Sequence, residues 1–136
     1  MVFVLDHTIV HFEIPATDIE KIKKFYAELF GWKFQKYPGP TTYYLVETVP
    51  VGSDMMPVRP GVNGGLYSKK DAQDPVNAQQ MNYIAVESVE DYSKKIEKLG
   101  GKIKVAKMEI PGLGWWALAQ DPEGNTFGIL EYMKKP

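Results

Sequence analysis

The chain has 136 residues, of which 44% are hydrophobic and 24% charged, so it can form one domain of ordinary size with its own core. Its formal net charge of -1 gives no general attraction for nucleic acid or for an anionic membrane. It contains no cysteine, and no apolar run approaches the ~20 residues that span a bilayer. We therefore expect a cytoplasmic protein whose partner is a small molecule, with no nucleic acid and no membrane involved.

The first half of the chain predicts a strand, a helix and three further strands. Residues 8–14 alternate as a strand, and Thr17 or Asp18 offers an N-cap for a helix that Gly31 ends. The apolar positions of this helix are Ile19, Ile22, Phe25, Tyr26, Leu29 and Phe30. The three further strands are predicted over residues 32–37, 41–48 and 63–68, with a Pro- and Gly-rich loop over residues 49–62.

The second half predicts the same elements in the same order. A polar connector over residues 69–79 leads to a strand over residues 81–87. Ser88 is the expected N-cap of the second helix, with Asp91 at the capping-box position. The last three strands are predicted over residues 102–110, 114–120 and 125–133.

The two halves are an internal repeat. A shift of 70 residues lays Ile19 on Val89, Ile22 on Tyr92, Tyr26 on Ile96, Leu29 on Leu99 and Gly31 on Gly101. Each half has an apolar sheet face that one helix cannot wholly cover, so we expect the halves to pair. The predicted fold is α+β: two paired βαβββ modules, about residues 7–68 and 80–134, form a curved mixed-sheet cup within a single domain.

Two polar side chains, His11 and Glu13, occur in the first strand and share one of its faces, because side chains two apart point the same way. If the helix covers the face of Phe12 and Ile14, then His11 and Glu13 line the cup. A half-buried Glu beside a His can serve as base and hydrogen-bond donor to a ligand without a metal. Alternatively, Glu13 accepts hydrogen bonds from His11 and from tyrosine hydroxyls and stabilises the sheet. Both interpretations stay open, and His11 and Glu13 are the candidate catalytic residues.

The rest of the predicted cup is apolar and aromatic, which is typical of a small-molecule site. The residues expected to bind the ligand are Tyr83, Met81, Trp116, Tyr44 and Gly128. Trp115 and Trp116 alternate along one strand, so one packs in the core and the other lines the cleft or a subunit interface. The sequence does not decide between these two tryptophans.

Two stretches resemble a known family. They are "HFEIPATDIEKIKKFYAELFGWKF", residues 11–34, and "IPGLGWWALAQDPEGNTFGILE", residues 110–131. Both resemble the vicinal oxygen chelate superfamily, which includes glyoxalase I, extradiol dioxygenases, fosfomycin-resistance enzymes and bleomycin-binding proteins. The chain looks most like small proteins labelled as related to lactoylglutathione lyase.

The resemblance implies a divalent metal held by four side chains, one from the first and one from the last strand of each half. His11 falls on the first of these positions, and the repeat places Met81 on the equivalent one. Gly128 stands where glyoxalase-type members have their final Glu, and Gly64 or Gly65 stands near the remaining position. Because a thioether or a glycine cannot replace imidazole or carboxylate, we expect no cofactor and no metal site.

The function expected from these observations is the binding of a small hydrophobic or aromatic metabolite in the cup, with metal-free chemistry as an option. The alternative is a divalent-metal-dependent lyase or isomerase of the glyoxalase type that uses His11 and Glu13. A scaffold without a ligand is a third reading. Because members of the superfamily usually dimerise, the resemblance also implies a homodimer.

Overall fold

The structure, a computed structural model, describes residues 5–72, 74–75 and 78–133. The chain divides into two units: residues 11–80 form the N-terminal unit, and residues 1–10 with residues 81–136 form the C-terminal unit. The elements of the first half are β1 (Ile9–Ala16), α1 (Ile19–Phe30), β2 (Lys33–Lys36), β3 (Tyr43–Glu47), β4 (Gly64–Ser68) and a short 3-10 helix (Lys69–Asp71). Those of the second half are β5 (Met81–Ala85), α2 (Val89–Lys98), β6 (Lys102–Ile110), β7 (Gly114–Gln120) and β8 (Thr126–Tyr132).

Both halves have the same strand order and the same pairing. The order is β2-β3-β4-β1 in the first half and β5-β8-β7-β6 in the second. β1 pairs with β4 in parallel, as β5 pairs with β8, whereas the other pairs within each half are antiparallel. This repetition confirms the α+β class and the two βαβββ modules. The predicted single domain with a connector over residues 69–79 stays a prediction.

The helices begin where the sequence places their caps. Asp18, rather than Thr17, caps α1, and its Oδ1 accepts a hydrogen bond from the backbone N of Lys21 at 3.1 Å. Gly31 ends α1 with a φ of 73°, a left-handed conformation that a residue without a Cβ adopts at no steric cost. Ser88 caps α2 in the same way as Asp18, accepting from the backbone N of Asp91 at 3.1 Å.

α1 covers its sheet with only part of its apolar side. Its residues Ile19, Ile22 and Tyr26 pack against the buried core residues Ile14, Ala16, Val46 and Leu66. The other three apolar positions, Phe25, Leu29 and Phe30, are each more than half exposed. One sheet face contacts a single stripe of a helix, and these three side chains lie outside that stripe. The helix therefore carries more apolar side chains than it packs against the sheet of the N-terminal unit.

The side chain of Asn63 joins the two ends of the loop between β3 and β4. Its Oδ1 accepts hydrogen bonds from the backbone N of Thr48 at 2.7 Å and of Val49 at 3.0 Å. Its Nδ2 donates to the Val49 carbonyl oxygen at 3.0 Å. The predicted loop over residues 49–62 is confirmed, with one isolated bridge between Val51 and Pro57.

We expect Asn63→Ala to lower the free energy of unfolding by about 2 kcal/mol, because two partly buried backbone N–H groups lose their acceptor. Urea denaturation measures this change. Asn82→Ala, at an exposed position of β5, is the control and should change stability by less than about 0.5 kcal/mol. Equal stability of Asn63→Ala and the wild type would show that the loop does not depend on this side chain.

Candidate functional site

The two faces of β1 differ in what they contact. Phe12 and Ile14 pack into the core that α1 covers. His11 and Glu13 alternate with them and lie on the opposite face, where their side chains are 24% and 14% exposed. This is the orientation that the sequence predicts for the strand. The two candidate catalytic residues therefore share a half-buried surface away from α1.

A tyrosine hydroxyl joins His11 to Glu13. Tyr43 of β3 donates a hydrogen bond from its Oη to Glu13 Oε2 at 2.8 Å. The same Oη lies 2.8 Å from His11 Nε2, and that nitrogen lies 3.9 Å from Glu13 Oε2. We refer to His11, Tyr43 and Glu13 as the His11 cluster. The Tyr43 hydroxyl lies within hydrogen-bond distance of both the imidazole and the carboxyl group.

Tyr43 reaches this cluster across β4 because β4 has a glycine at the crossing point. Gly65 is the register partner of Glu13 on one side and of Leu45 on the other. A Cβ at residue 65 would overlap the Tyr43 hydroxyl oxygen. The absence of a side chain at Gly65 therefore leaves the space in which the tyrosine ring lies.

Burial shifts the pKa values of two groups on this face. It lowers the pKa of His11 from 6.5 to about 4, so the imidazole is neutral at physiological pH. The pKa of Tyr67 is raised, first by burial and then by the negative charge of Glu13. The face thus offers a neutral imidazole together with the hydroxyl groups of tyrosines and the carboxyl group of Glu13, a set that can hydrogen-bond to a ligand and can accept a proton.

The predicted ligand-binding residue Tyr44 is not part of the cluster. It packs against the core on the α1 side, and Lys23 Nζ lies 4.1 Å from the centroid of its ring. Neighbouring residues of a strand point to opposite faces, so only one of the two adjacent tyrosines can lie beside His11. The structure brings Tyr43 there, and sequence reasoning missed it. The sequence signal that could have indicated Tyr43 is the pair Gly64 and Gly65 in β4, because a strand residue without a side chain leaves space for an aromatic ring from a neighbouring strand.

In the C-terminal unit, the remaining predicted residues share the face of the sheet away from α2. Tyr83 is the register partner of Gly128, and Trp116 is that of Leu130. Met81 has the same parity along β5 as Tyr83. Trp115 packs against the core under α2, so Trp116 lies on the other face. The choice between the two tryptophans that the sequence left open is decided by this packing.

The side chains present do not fit the metal that the resemblance implies. A Cβ at Gly128 would overlap the Tyr83 ring, so a carboxylate there has no room, and the Tyr43 ring covers Gly65 in the same way. Gly64 packs instead against Phe12, on the α1 side. In residues 5–72, 74–75 and 78–133, no three His, Asp or Glu side chains cluster closely enough to hold an ion. That the protein needs no cofactor stays a prediction.

Glu131, the carboxylate nearest to Gly128 in sequence, points to the helix side, as its strand parity predicts. Its Oε1 accepts a hydrogen bond from the backbone N of Val89 at 2.9 Å, at the first turn of α2. A carboxylate at a helix N-terminus is stabilised by the unpaired N–H groups there. Glu131 therefore has a structural partner and does not replace the missing ligand at Gly128.

Comparison with known proteins identifies the family. A family model described as bleomycin resistance protein-like N-terminal matches residues 8–48. A glyoxylase-like domain-containing protein of Didymella fabae is 32% identical over 128 residues, which are 93% of this chain and 94% of that protein. The chain belongs to the glyoxalase-like proteins of the vicinal oxygen chelate superfamily.

Other relatives of this glyoxalase-like protein are more distant. The anthracycline biosynthesis protein DnrV of Streptomyces peucetius is 27% identical over 128 residues, and the chain spans only 44% of its length. Methylmalonyl-CoA epimerase of Streptomyces coelicolor has a TM-score of 0.68 at 12% identity, covering 95% of this chain and 100% of that one. This likeness shows the fold alone.

Neither helix in the described part of the chain is long and apolar enough to cross a membrane.

Proposed function

We propose that this glyoxalase-like protein binds a small hydrophobic or aromatic metabolite on the sheet face of the N-terminal unit that carries the His11 cluster. The observation that carries the proposal is the half-buried hydrogen-bonded set of His11, Tyr43 and Glu13 on a face that α1 does not cover. Polar groups are costly to bury, and a few of them placed among aromatic side chains are typical of a ligand site.

The surroundings of the cluster support an aromatic ligand. The Tyr37 ring meets the Tyr43 ring edge-on, with 6.2 Å between centroids, and Tyr67 lies within the field of Glu13. Aromatic rings offer large contact area at little cost in conformational entropy, and their hydroxyls provide polar contacts. The Streptomyces relative is named for anthracycline biosynthesis, and anthracyclines are polycyclic aromatic compounds.

The proposal extends to the predicted residues of the C-terminal unit. Tyr83, Met81, Trp116 and Gly128 share the sheet face away from α2, and family resemblance supports their contact with a ligand. Metal-free proton transfer is included, because the neutral imidazole of His11 and the carboxylate of Glu13 can each accept a proton.

We also propose that the protein is cytoplasmic and forms a homodimer. The absence of cysteine favours the location, and the family resemblance favours the dimer.

Thermal shift with 1-naphthol and related phenols tests this proposal. A saturating probe should raise the melting temperature of the wild type. At a probe concentration a hundredfold above Kd, the free energy of unfolding increases by about 3 kcal/mol. Tyr43→Phe removes the hydroxyl that joins His11 to Glu13, so the polar groups of the cluster are no longer held in place for a ligand. We expect this change to weaken binding about tenfold, which corresponds to roughly 1.4 kcal/mol. The dissociation constants are obtained by calorimetry.

Tyr44→Phe is the matched control, because it removes the same atom from the neighbouring residue on the opposite face of β3. It should leave the affinity for the probes unchanged. If Tyr44→Phe and Tyr43→Phe weaken binding equally, or if no aromatic probe stabilises the wild type, the proposed face is not the ligand site.

A further inference from the structure

We propose that the free edge of β2, together with the groove between β2 and α1, binds an extended acidic segment of another protein as an added strand. This surface lies in the N-terminal unit, at the end of the strand order β2-β3-β4-β1. The proposal goes beyond the proposed function, because it concerns a protein partner and its surface includes no residue of the His11 cluster.

The backbone of β2 has hydrogen-bonding groups that point away from its neighbour. Tyr37 N donates to the Tyr43 carbonyl oxygen at 2.9 Å, and the register of β2 with β3 continues this pairing at every second residue. In an antiparallel pair, the residues between two hydrogen-bonded positions direct their N–H and C=O groups to the other side. In β2 these residues are Phe34 and Lys36, and β3 is the one strand of the described sheet that pairs with β2. Their N–H and C=O groups therefore lie at a free edge.

β6, the edge strand of the C-terminal unit, is less suited to such pairing. Its register with β7 shifts twice, between Ile103 and Val105 and between Val105 and Met108. Bulges bend an edge strand and interrupt the row of groups that a partner strand needs. The register of β2 has no such shift, so β2 is the edge that accepts a strand.

The groove between β2 and α1 has room for the side chains of an added strand. Its volume is about 490 Å³, and Ala27 of α1 is the smallest side chain that lines it. Its apolar part comes from Trp32 and Phe34, and the Trp32 ring stacks on that of Tyr26 with 4.9 Å between centroids. An aromatic ring that packing already fixes loses little conformational entropy when a partner contacts it. The groove therefore fits an apolar side chain of the partner.

The charges around this edge favour an acidic partner. β2 contributes Lys33 and Lys36, and α1 contributes three charged residues to the groove: Glu20, Lys23 and Lys24. The carboxylate of Glu20 is already paired, because its Oε2 lies 3.1 Å from Lys23 Nζ. The surface thus carries more positive than negative charge, and complementary charge on a partner gives specificity and faster association.

The two lysines of β2 differ in their neighbours on β3. Lys33 is the register partner of an acidic residue, Glu47. Lys36 is the register partner of Tyr44, whose ring also lies 4.1 Å from Lys23 Nζ. A carboxylate of the added strand opposite Lys36 therefore meets a positive charge that its neighbour on β3 does not balance.

A second copy of this chain is a poorer occupant of the edge. Residues 33–36 contain two lysines and no acidic residue. Pairing two copies of β2 would bring four lysines together along one edge, and like charges on neighbouring strands are destabilising. The partner is therefore a different protein with an acidic extended segment.

The synthetic peptide Ac-TEVEVET-NH2, in which acidic and apolar side chains alternate, is the probe. In ¹H–¹⁵N spectra of the full chain it should shift the amide signals of Phe34 and Lys36 and slow their exchange with solvent, because their N–H groups gain acceptors. The peptide Ac-TKVKVKT-NH2 is the matched control and should not bind. The affinity for the acidic peptide should fall in about 0.5 M NaCl, since salt screens exposed charges.

Lys36→Pro removes an outward N–H and is expected to abolish binding of the acidic peptide. Because that N–H has no partner on β3, a proline there costs no hydrogen bond of the sheet. Lys36→Gln is the control that removes only the charge, and it should weaken binding about threefold, as expected for an exposed ion pair.

Ala27→Glu tests the groove without a change in β2. It places a negative charge at an exposed position of α1 that lines the groove, and it should weaken binding of the acidic peptide about threefold. Ala106→Glu, the same change at an exposed position of β6, is the control and should leave the affinity unchanged.

Each of four results would overturn the proposal. They are no binding of the acidic peptide to the wild type, equal affinity of the acidic and the basic peptide, equal affinity of Lys36→Pro and Lys36→Gln, and amide shifts at β6 rather than at β2. Shifts of Phe34 and Lys36 that depend on protein concentration without peptide would also overturn it, because a second copy would then occupy the edge. The proposed function is tested with 1-naphthol at the His11 cluster, so failure of one probe leaves the other result intact.

Discussion

Gly128→Ala is expected to lower the free energy of unfolding by about 3 kcal/mol, at the upper end for an overpacked site. A Cβ at this position would overlap the ring of Tyr83, which lies across the glycine from the neighbouring strand. Tyr83 is only 6% exposed, so its ring has little room to withdraw. Urea denaturation measures the loss. Gly52→Ala is the control, because the nearest atom to its Cβ is the end of the Asp54 side chain, at 3.3 Å.

A double-mutant cycle separates the contact with Tyr83 from other effects. In a Tyr83→Ala background, the cost of Gly128→Ala should fall below about 1 kcal/mol, since the two residues are in direct contact. An undiminished cost in that background would mean that the Tyr83 ring does not cover Gly128. It would also mean that the cost of a side chain at Gly128 has another origin than the Tyr83 ring.

The second large effect concerns pH. Burial depresses the pKa of His11 in the folded state from 6.5 to about 4, so the unfolded state takes up a proton that the folded state does not. The stability associated with the neutral imidazole is complete above pH 6.5 and is lost progressively as the pH falls toward about 4. The loss attributable to His11 over this window is about 3 kcal/mol.

Urea denaturation at a series of pH values, compared between the wild type and His11→Gln, isolates this contribution from the titration of carboxylates. The Gln amide can still donate to Tyr43 Oη but does not titrate, so His11→Gln should have a shallower slope between pH 4 and 6.5. If the wild type instead gains stability toward pH 5 relative to His11→Gln, the attraction of the Glu13 carboxylate for a charged imidazole outweighs burial.

Much of the fold follows from short-range features of the sequence. Asp18 and Gly31 mark the ends of α1 because an N-cap acceptor and a left-handed C-cap are satisfied by neighbours within one turn. The alternation along β1 assigns His11 and Glu13 to one face because successive side chains of any strand point apart. The repeat over 70 residues predicts the two βαβββ modules because each half contains the same local signals.

The composition of the site depends on which strands are neighbours and on their register, which no local signal contains. Tyr43 and Tyr44 are equivalent in the sequence, and the pairing of β3 with β4 decides that Tyr43 passes over Gly65 to reach Glu13. In the same way, packing under α2 decides that Trp115 is the core tryptophan. Contacts between residues far apart in the chain settle these choices.

The sequence by itself therefore determined the class of fold, the faces of β1 and the mismatch between its side chains and a metal site. Only the tertiary structure decided that a tyrosine hydroxyl lies between imidazole and carboxylate, and that Tyr43 and Tyr83 cover the glycines of β4 and β8. The physical reason is that capping and side-chain alternation act within a few residues, whereas a hydrogen bond across two strands requires a register that the whole sheet sets.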